Sequence, residues 1–282
     1  LIRSRGLGDV YKRQEFINLL KKILFLKDLI AVIEDWAPPI SAEHFDNVGL
    51  IVGDVNQKIN KALITIDTLE TVVDEAIEKQ CNLIISFHPI IFKGLKKITQ
   101  KTYVERVVRK AIQNKICIYS IHTNLDNHLY GVNHMISKKL GIRNTKFLIP
   151  KNESNIGSGM IGKLSTKINE QEFLGYVKEK MNTGFIKHSP LLNKKIQTVA
   201  VLGGSGSFAI EHALDKNADC LVTADLKYHD YFKAENKILL LDIGHFESEQ
   251  FTKELILNFL NKKIPKFACI ISKSKTNPVN YF

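Results

Sequence analysis

Ala62–Ile66 (ALITI), Thr68–Gln80 (TLETVVDEAIEKQ) and Leu83–Ser86 (LIIS) decide how this chain folds. ALITI and LIIS are short, unbroken apolar runs, which suit strands buried on both faces. The segment between them predicts a helix, with Thr68 as N-cap and Glu70 and Thr71 behind it. Downstream, Tyr103–Asn114 predicts a second helix and Ile116–Ile121 a third strand. The order is β-α-β-α-β with continuous apolar strands, so the expected class is α/β with largely parallel central sheets.

Upstream, Glu15–Asp35 predicts a helix with Phe16, Leu19, Leu20, Ile23, Leu24 and Leu26 on a broad apolar face. Trp36-Ala-Pro-Pro39 ends it, because proline lacks the N–H and clashes with the preceding turn. Asn133–Leu140 predicts a helix closed by Gly141. Pro150–Gly159 is rich in Asn, Ser and Gly and marks a linker or insertion point. Beyond it, strands are expected at Met160–Leu164, Thr198–Leu202, Cys220–Thr223, Ile238–Ile243 and Ala268–Ser272. Helices are expected at Glu170–Met181, Phe208–Lys216, Tyr228–Glu235 and Glu247–Asn261.

Composition narrows the function classes. The 282 residues are 44% hydrophobic and 24% charged, ordinary for a globular protein. Leu1–Gln14 has no apolar period and reads as a translated adapter rather than as part of the fold. The net charge is +11, of which Leu1–Gln14 carries +3, and the lysines of the remaining chain are scattered rather than blocked. Scattered lysines attract anions mildly but make no aromatic-interleaved basic stripe, so a nucleic-acid partner is not expected. Cys81, Cys117, Cys220 and Cys269 form no CxxC pair and predict reduced thiols and a cytoplasmic location. No apolar stretch reaches the roughly 18 residues of a membrane span.

Three polar clusters follow predicted strand ends, the edge where open α/β sheets bind ligands. Gly244-His245-Phe-Glu-Ser-Glu249 places His245 and Glu249 four apart at a helix start, on one face and within reach of one ion. An imidazole with a carboxylate suits Zn, Mn, Fe or Ni better than Ca. Without an ion, the same pair is a surface histidine and a helix-dipole partner. His122 to Asp126 follows the third strand as a metal pair or an Asx turn. His88 follows LIIS as a ligand or a satisfied loop histidine.

Two further features remain open. Gly203-Gly204-Ser205-Gly206-Ser207 is a tight turn, an anion cradle or a loose dinucleotide fingerprint with Asp225 about 20 residues on. Thr223-Ala-Asp225-Leu-Lys227-Tyr-His229-Asp230 holds a candidate acid, base or substrate clamp, or is a solvated loop.

Together these stretches, with His44-Phe-Asp46-Asn47-Val-Gly49, resemble the Nif-three-like dinuclear-metal family, often labelled GTP cyclohydrolase I type 2 homologues. The matching motifs run in family order from Glu15 to the C-terminus. The resemblance implies two interlocked α/β domains, here 15–126 with 245–282 around 127–244. It also implies a homohexameric ring and two metal ions per subunit, with His88, Asp126, His245 and Glu249 as ligands. This sequence departs from the family at Phe87, where the family carries a histidine before His88. Phe87 cannot ligate, so the expected content is one or two ions per subunit.

The expected function is a metal-dependent hydrolase of a nucleotide or other anionic small molecule. His122, Asp225 and His229 would move protons. Gly203, Gly204, Ser205, Gly206 and Lys227 would hold the anion. The competing readings are a non-catalytic metal-binding adaptor and a dinucleotide-binding oxidoreductase resting on Gly204-x-Gly206-x-x-Ala209.

Overall fold

The computed structural model describes residues 24–151 and 155–282. The adapter reading of Leu1–Gln14 and the start of the helix expected from Glu15 lie outside the described residues. The chain divides into two compact units. One takes residues up to Pro38, Asn47–Ser120 and Ile256–Ser274; the other takes Pro39–Asp46, Ile121–Leu255 and Lys275–Phe282.

The first unit holds a five-stranded sheet. Its strands are β1 (Gly49–Val52), β2 (Lys61–Thr65), β3 (Leu83–Ser86), β4 (Cys117–Ser120) and β11 (Ala268–Ile271), in the order β1-β4-β3-β2-β11. β11, β2, β3 and β4 run parallel, whereas β1 pairs antiparallel with β4. Side chains alternate between faces. Leu63, Ile84 and Ile118 pack under α2 (Glu70–Glu78) and α3 (Tyr103–Gln113), which bury Val72, Val73, Ala76, Val107, Val108 and Ala111. Each such valine or leucine contributes about 1.5–3 kcal/mol by leaving water. Tyr119 points the other way, its hydroxyl 3.3 Å from Glu34 on α1 (Leu26–Trp36). α1 buries Leu26, Leu29 and Ile33, and its Trp36 stacks on Phe259. Leu69, not Thr68, occupies the cap position of α2.

The second unit holds six strands. They are β5 (Arg143–Pro150), β6 (Gly157–Asn169), β7 (Lys187–His188), β8 (Lys195–Ser205), β9 (Cys220–Ala224) and β10 (Leu239–Asp242), in the order β5-β6-β8-β9-β10-β7. Only β8-β9 and β9-β10 are parallel; β5-β6, β6-β8 and β10-β7 are antiparallel. Both sheets are therefore mixed, and the expectation of largely parallel sheets is overturned. The reason is that β5 pairs antiparallel with β6, and that β1 and β7, short strands of four and two residues, add to the sheet edges antiparallel to their neighbours. Of the expected linker Pro150–Gly159, Pro150 ends β5 and faces Gly157 at the start of β6, and residues 152–154 lie outside the described residues.

Four α-helices of this unit bear on the site or its support. They are α4 (Thr123–Asp126), α5 (Val132–Lys139), α7 (Ala209–Asp215) and α8 (His245–Glu249); α6 (Glu170–Lys180) lies between β6 and β7 in sequence. Tyr228–Ala234 is a 3₁₀ segment. The long helix expected over Glu247–Asn261 is instead α8 and α9 (Thr252–Lys263), separated by a turn at residues 250–251. All four cysteines are free thiols. Among the described residues no helix is long and apolar enough to cross a membrane.

Candidate metal centre

The site begins where β8, β9 and β10 end together. Ser205, Asp225 and His245 lie at or just beyond that shared carboxyl edge. Two left-handed residues make the exits tight: Gly244 at φ 91° and Asp225 at φ 56°, aspartate being one of the few side-chain-bearing residues that tolerate this region. α8 starts at once, so His245 and Glu249 stack one turn apart.

His245 sits between two carboxylates. Its Nδ1 is 2.7 Å from Asp225 Oδ2 and its Nε2 3.2 Å from Glu249 Oε2. Burial pulls the imidazole pKa down, but the bonds to Asp225 and Glu249 outweigh it and lift the value to about 11. His245 likewise holds Asp225 down at about 2, against burial and with help from the Ser205 hydroxyl, which donates to the same oxygen.

The glycine-rich stretch makes room for this pair. Gly204 has φ 66°, and a Cβ there would lie 2.5 Å from Glu249 Oε1. Its N–H donates to Ser248 Oγ at 2.9 Å, and the Gly203 N–H to Asn133 Oδ1 at 2.9 Å. The Gly206 N–H donates to the Ala224 carbonyl at 3.3 Å. The three glycine N–H groups thus have protein acceptors, unlike those of a phosphate or pyrophosphate cradle. β8 also continues through Ser205, so Gly203 and Gly204 lie within a strand. This leaves the dinucleotide reading without its binding groups.

His122, at the start of α4, is held in the same way. Asp46 Oδ1 is 2.9 Å from its Nδ1, and Asp46 Oδ2 accepts the Thr123 N–H at 3.1 Å and the Thr123 hydroxyl. Burial raises the Asp46 pKa, but His122 and Thr123 bring it down to about 2. His122, Asp126, His245 and Glu249 line one pocket of about 450 Å³, with Phe45 and Phe208 among its other walls.

In the first unit, His88 follows β3. Its Nδ1 is 2.7 Å from Asp67 Oδ1, and Ser86 Oγ donates to its carbonyl at 2.7 Å. Phe87 is fully buried. Among the described residues, His88 of the first unit, and His245 and Glu249 of the second, carry donor atoms of metal-ligand type.

Of the residues singled out in the sequence, the second-unit pocket gathers Asp126, His122, His245, Glu249, Gly203, Gly204 and Ser205. Asp225 stands behind His245. Lys227 and His229 do not line the pocket; His229 is exposed and packs against Tyr228 and Phe232. The sequence reading missed the carboxylates that orient His88 and His122, namely Asp67 and Asp46. Asp46 was in plain view in His44-Phe-Asp46, but its partner is 76 residues away.

The profile of the Duf34/NIF3 (NGG1p interacting factor 3) family matches residues 24–278. The chain belongs to this family. A GTP cyclohydrolase 1 type 2 homolog of Clostridium acetobutylicum is 38% identical over 80% of this NIF3-family chain and 85% of its own length. NIF3-like protein 1 of Drosophila melanogaster is 33% identical over 80% of this chain and 78% of its own. In structure, a hypothetical protein of Staphylococcus aureus superposes with a TM-score of 0.87 and 28% identity. It covers 93% of this chain and all of its own.

Proposed function

We propose that this NIF3-family chain is a divalent-metal-dependent hydrolase, with Asp126, His245 and Glu249 of the second unit and His88 of the first as metal donors. The observation that carries the reading is a repeated one. His88, His122 and His245 each follow a strand end, and each has Nδ1 bound to a carboxylate: Asp67, Asp46 and Asp225. That arrangement fixes the orientation of the ring and engages Nδ1, as expected of metal-binding histidines and of catalytic bases. The donor set of imidazole nitrogen and carboxylate oxygen suits Zn, Mn, Fe or Ni. Gly204 further fits the reading, since only a glycine leaves Glu249 its place.

A bound divalent ion would lower the pKa of a water and polarise the scissile bond. The chain's own groups would do the rest. Asp46 holds His122 with Nδ1 engaged, so proton transfer falls to Nε2. Asp225 steadies His245 from behind. The expected substrate is a nucleotide or other anionic small molecule, in line with the GTP cyclohydrolase homolog name of the bacterial relatives. The same reading includes a cytoplasmic homohexamer holding one or two ions per subunit, the second depending on Phe87.

Metal content by elemental analysis, followed by a turnover screen on nucleotides and phosphoesters, tests the proposal. Activity that persists in His245→Ala and Glu249→Ala would sink it. Firmly held metal without turnover on any substrate would instead favour a metal-binding adaptor. Light scattering checks the ring.

A further inference from the structure

Asp242 is the last residue of β10, and its side chain is almost completely buried. A buried carboxylate is tolerated only where donors surround it, and Asp242 has three. Oδ1 accepts the Gly244 N–H at 3.1 Å and Oδ2 accepts the Leu226 N–H at 3.0 Å. The Lys187 ammonium on β7 lies 2.6 Å from Oδ2.

The two backbone bonds fall beside the two groups that matter most to the site. Leu226 directly follows Asp225, and Gly244 directly precedes His245. Asp225 and Gly244 are the left-handed residues at the exits of β9 and β10. The β9–β10 register ends with Asp242 beside Thr223, and the Ile243 N–H donates to the Thr223 carbonyl at 3.0 Å. Past that point Asp242 joins the two exits, one on each oxygen, and its planar carboxylate sets their spacing. Asp225 and His245, 20 residues apart in sequence, then meet with Oδ2 and Nδ1 at 2.7 Å.

We propose that Asp242 is a positioning residue of the metal centre. By holding the Leu226 and Gly244 N–H groups, it sets how Asp225 meets His245, and through that bond it aims His245 Nε2 at an ion. The proposal rests on the metal reading above for the ion, but the link between the exits stands without it. A carboxylate that merely closed two tight turns would add to the stability of the fold and leave the zinc affinity of folded protein alone. An amide cannot do the same work. Asparagine at 242 offers one acceptor oxygen for two N–H groups, and its own NH₂ faces another donor.

The test is the zinc affinity of the full chain by chelator competition, in the parent, Asp242→Asn, Asp225→Ala and the double variant. Amide hydrogen exchange on zinc-free protein, read by NMR, accompanies it. Asp242→Asn should weaken zinc binding about 10- to 100-fold, as loss of outer-shell support does. Added to Asp225→Ala, it should weaken binding by less than about threefold more, because changes that act through one bond do not add. The Leu226 and Gly244 amides should be protected in the parent, and at least one should exchange about tenfold faster in Asp242→Asn. Unchanged zinc affinity in folded Asp242→Asn overturns the proposal, as does a loss that multiplies in full with that of Asp225→Ala. Exchange of either amide in the parent at the rate of an open loop overturns it too, and that measurement decides if Asp242→Asn does not fold. If the parent takes up no zinc while the amides respond to Asp242→Asn, the hydrolase reading fails and the link between the exits stands.

Discussion

Asp225 Oδ2 lies 2.7 Å from His245 Nδ1, on the side of the ring away from Glu249. Such a carboxylate fixes which nitrogen faces the ion and makes that nitrogen a better donor. Asp225→Ala removes this support while leaving every proposed metal donor in place. Zinc affinity should fall about 10- to 100-fold, as outer-shell changes generally do. Competition against a chromogenic chelator measures it. Unchanged affinity would mean that Asp225 serves only the turn it occupies.

Gly204→Ala tests the other wall. The new Cβ would sit 2.5 Å from Glu249 Oε1 and would hold φ 66° without glycine's freedom. The strained backbone alone costs about 1–3 kcal/mol, and Glu249 must swing away from His245. The expected outcome is a lower unfolding temperature together with reduced zinc content per subunit. Full zinc content in a variant that unfolds at the parent temperature would show that Glu249 does not depend on this glycine.

How much of this was readable in the sequence follows from the kind of signal each part leaves. β2, β3 and β4 are fully or almost fully buried and left unbroken apolar runs. β5 reads RNTKFLIP, with Leu148 its only buried residue, and β7 is two exposed residues; neither has a periodicity to find. These edge strands are the antiparallel ones, so missing them made the sheets look parallel. His245 and Glu249 were legible because helical spacing is local. Asp46 and Asp67 were not read as orienting groups, because their histidines lie 76 and 21 residues away and only the fold brings them together. The glycine-rich stretch misled in the opposite sense. Its residues serve close packing against Glu249 and Thr223, which in sequence looks the same as a phosphate loop.

Phe87 stands where the family resemblance implies a histidine, and its side chain is fully buried. Phe87→His supplies a nitrogen donor beside His88 at the cost of placing a polar ring in a dry site, about 1–3 kcal/mol unless it gains a partner. Zinc or manganese content should rise towards two ions per subunit. Calorimetric stability measured with and without metal should show the variant gaining more from added ion than the parent does. An unchanged ion count would sink the idea that Phe87 limits the second position.

Glu75, far from the pocket in sequence, predicts part of the acid sensitivity of the first unit. Ser272 Oγ donates to its Oε2 at 2.6 Å, the Lys273 N–H to its Oε1 at 2.9 Å, and the Ser274 N–H to its Oε2 at 3.0 Å. Burial raises its pKa, but these bonds and the Lys79 ammonium outweigh that and hold the carboxyl well below its ordinary 4.5. A carboxylate with a depressed folded pKa is protonated more readily in the unfolded chain. Its stabilisation is therefore complete above the unfolded value and is lost as pH falls below 4.5 towards the folded one. Glu75→Gln turns one acceptor oxygen into a donor that faces other donors, which should cost about 1–3 kcal/mol at pH 7. The gap between parent and variant, read by urea denaturation, should narrow between pH 5 and about pH 3. A gap that stays constant over that range would show that Glu75 stabilises the 272–274 segment by shape rather than by charge.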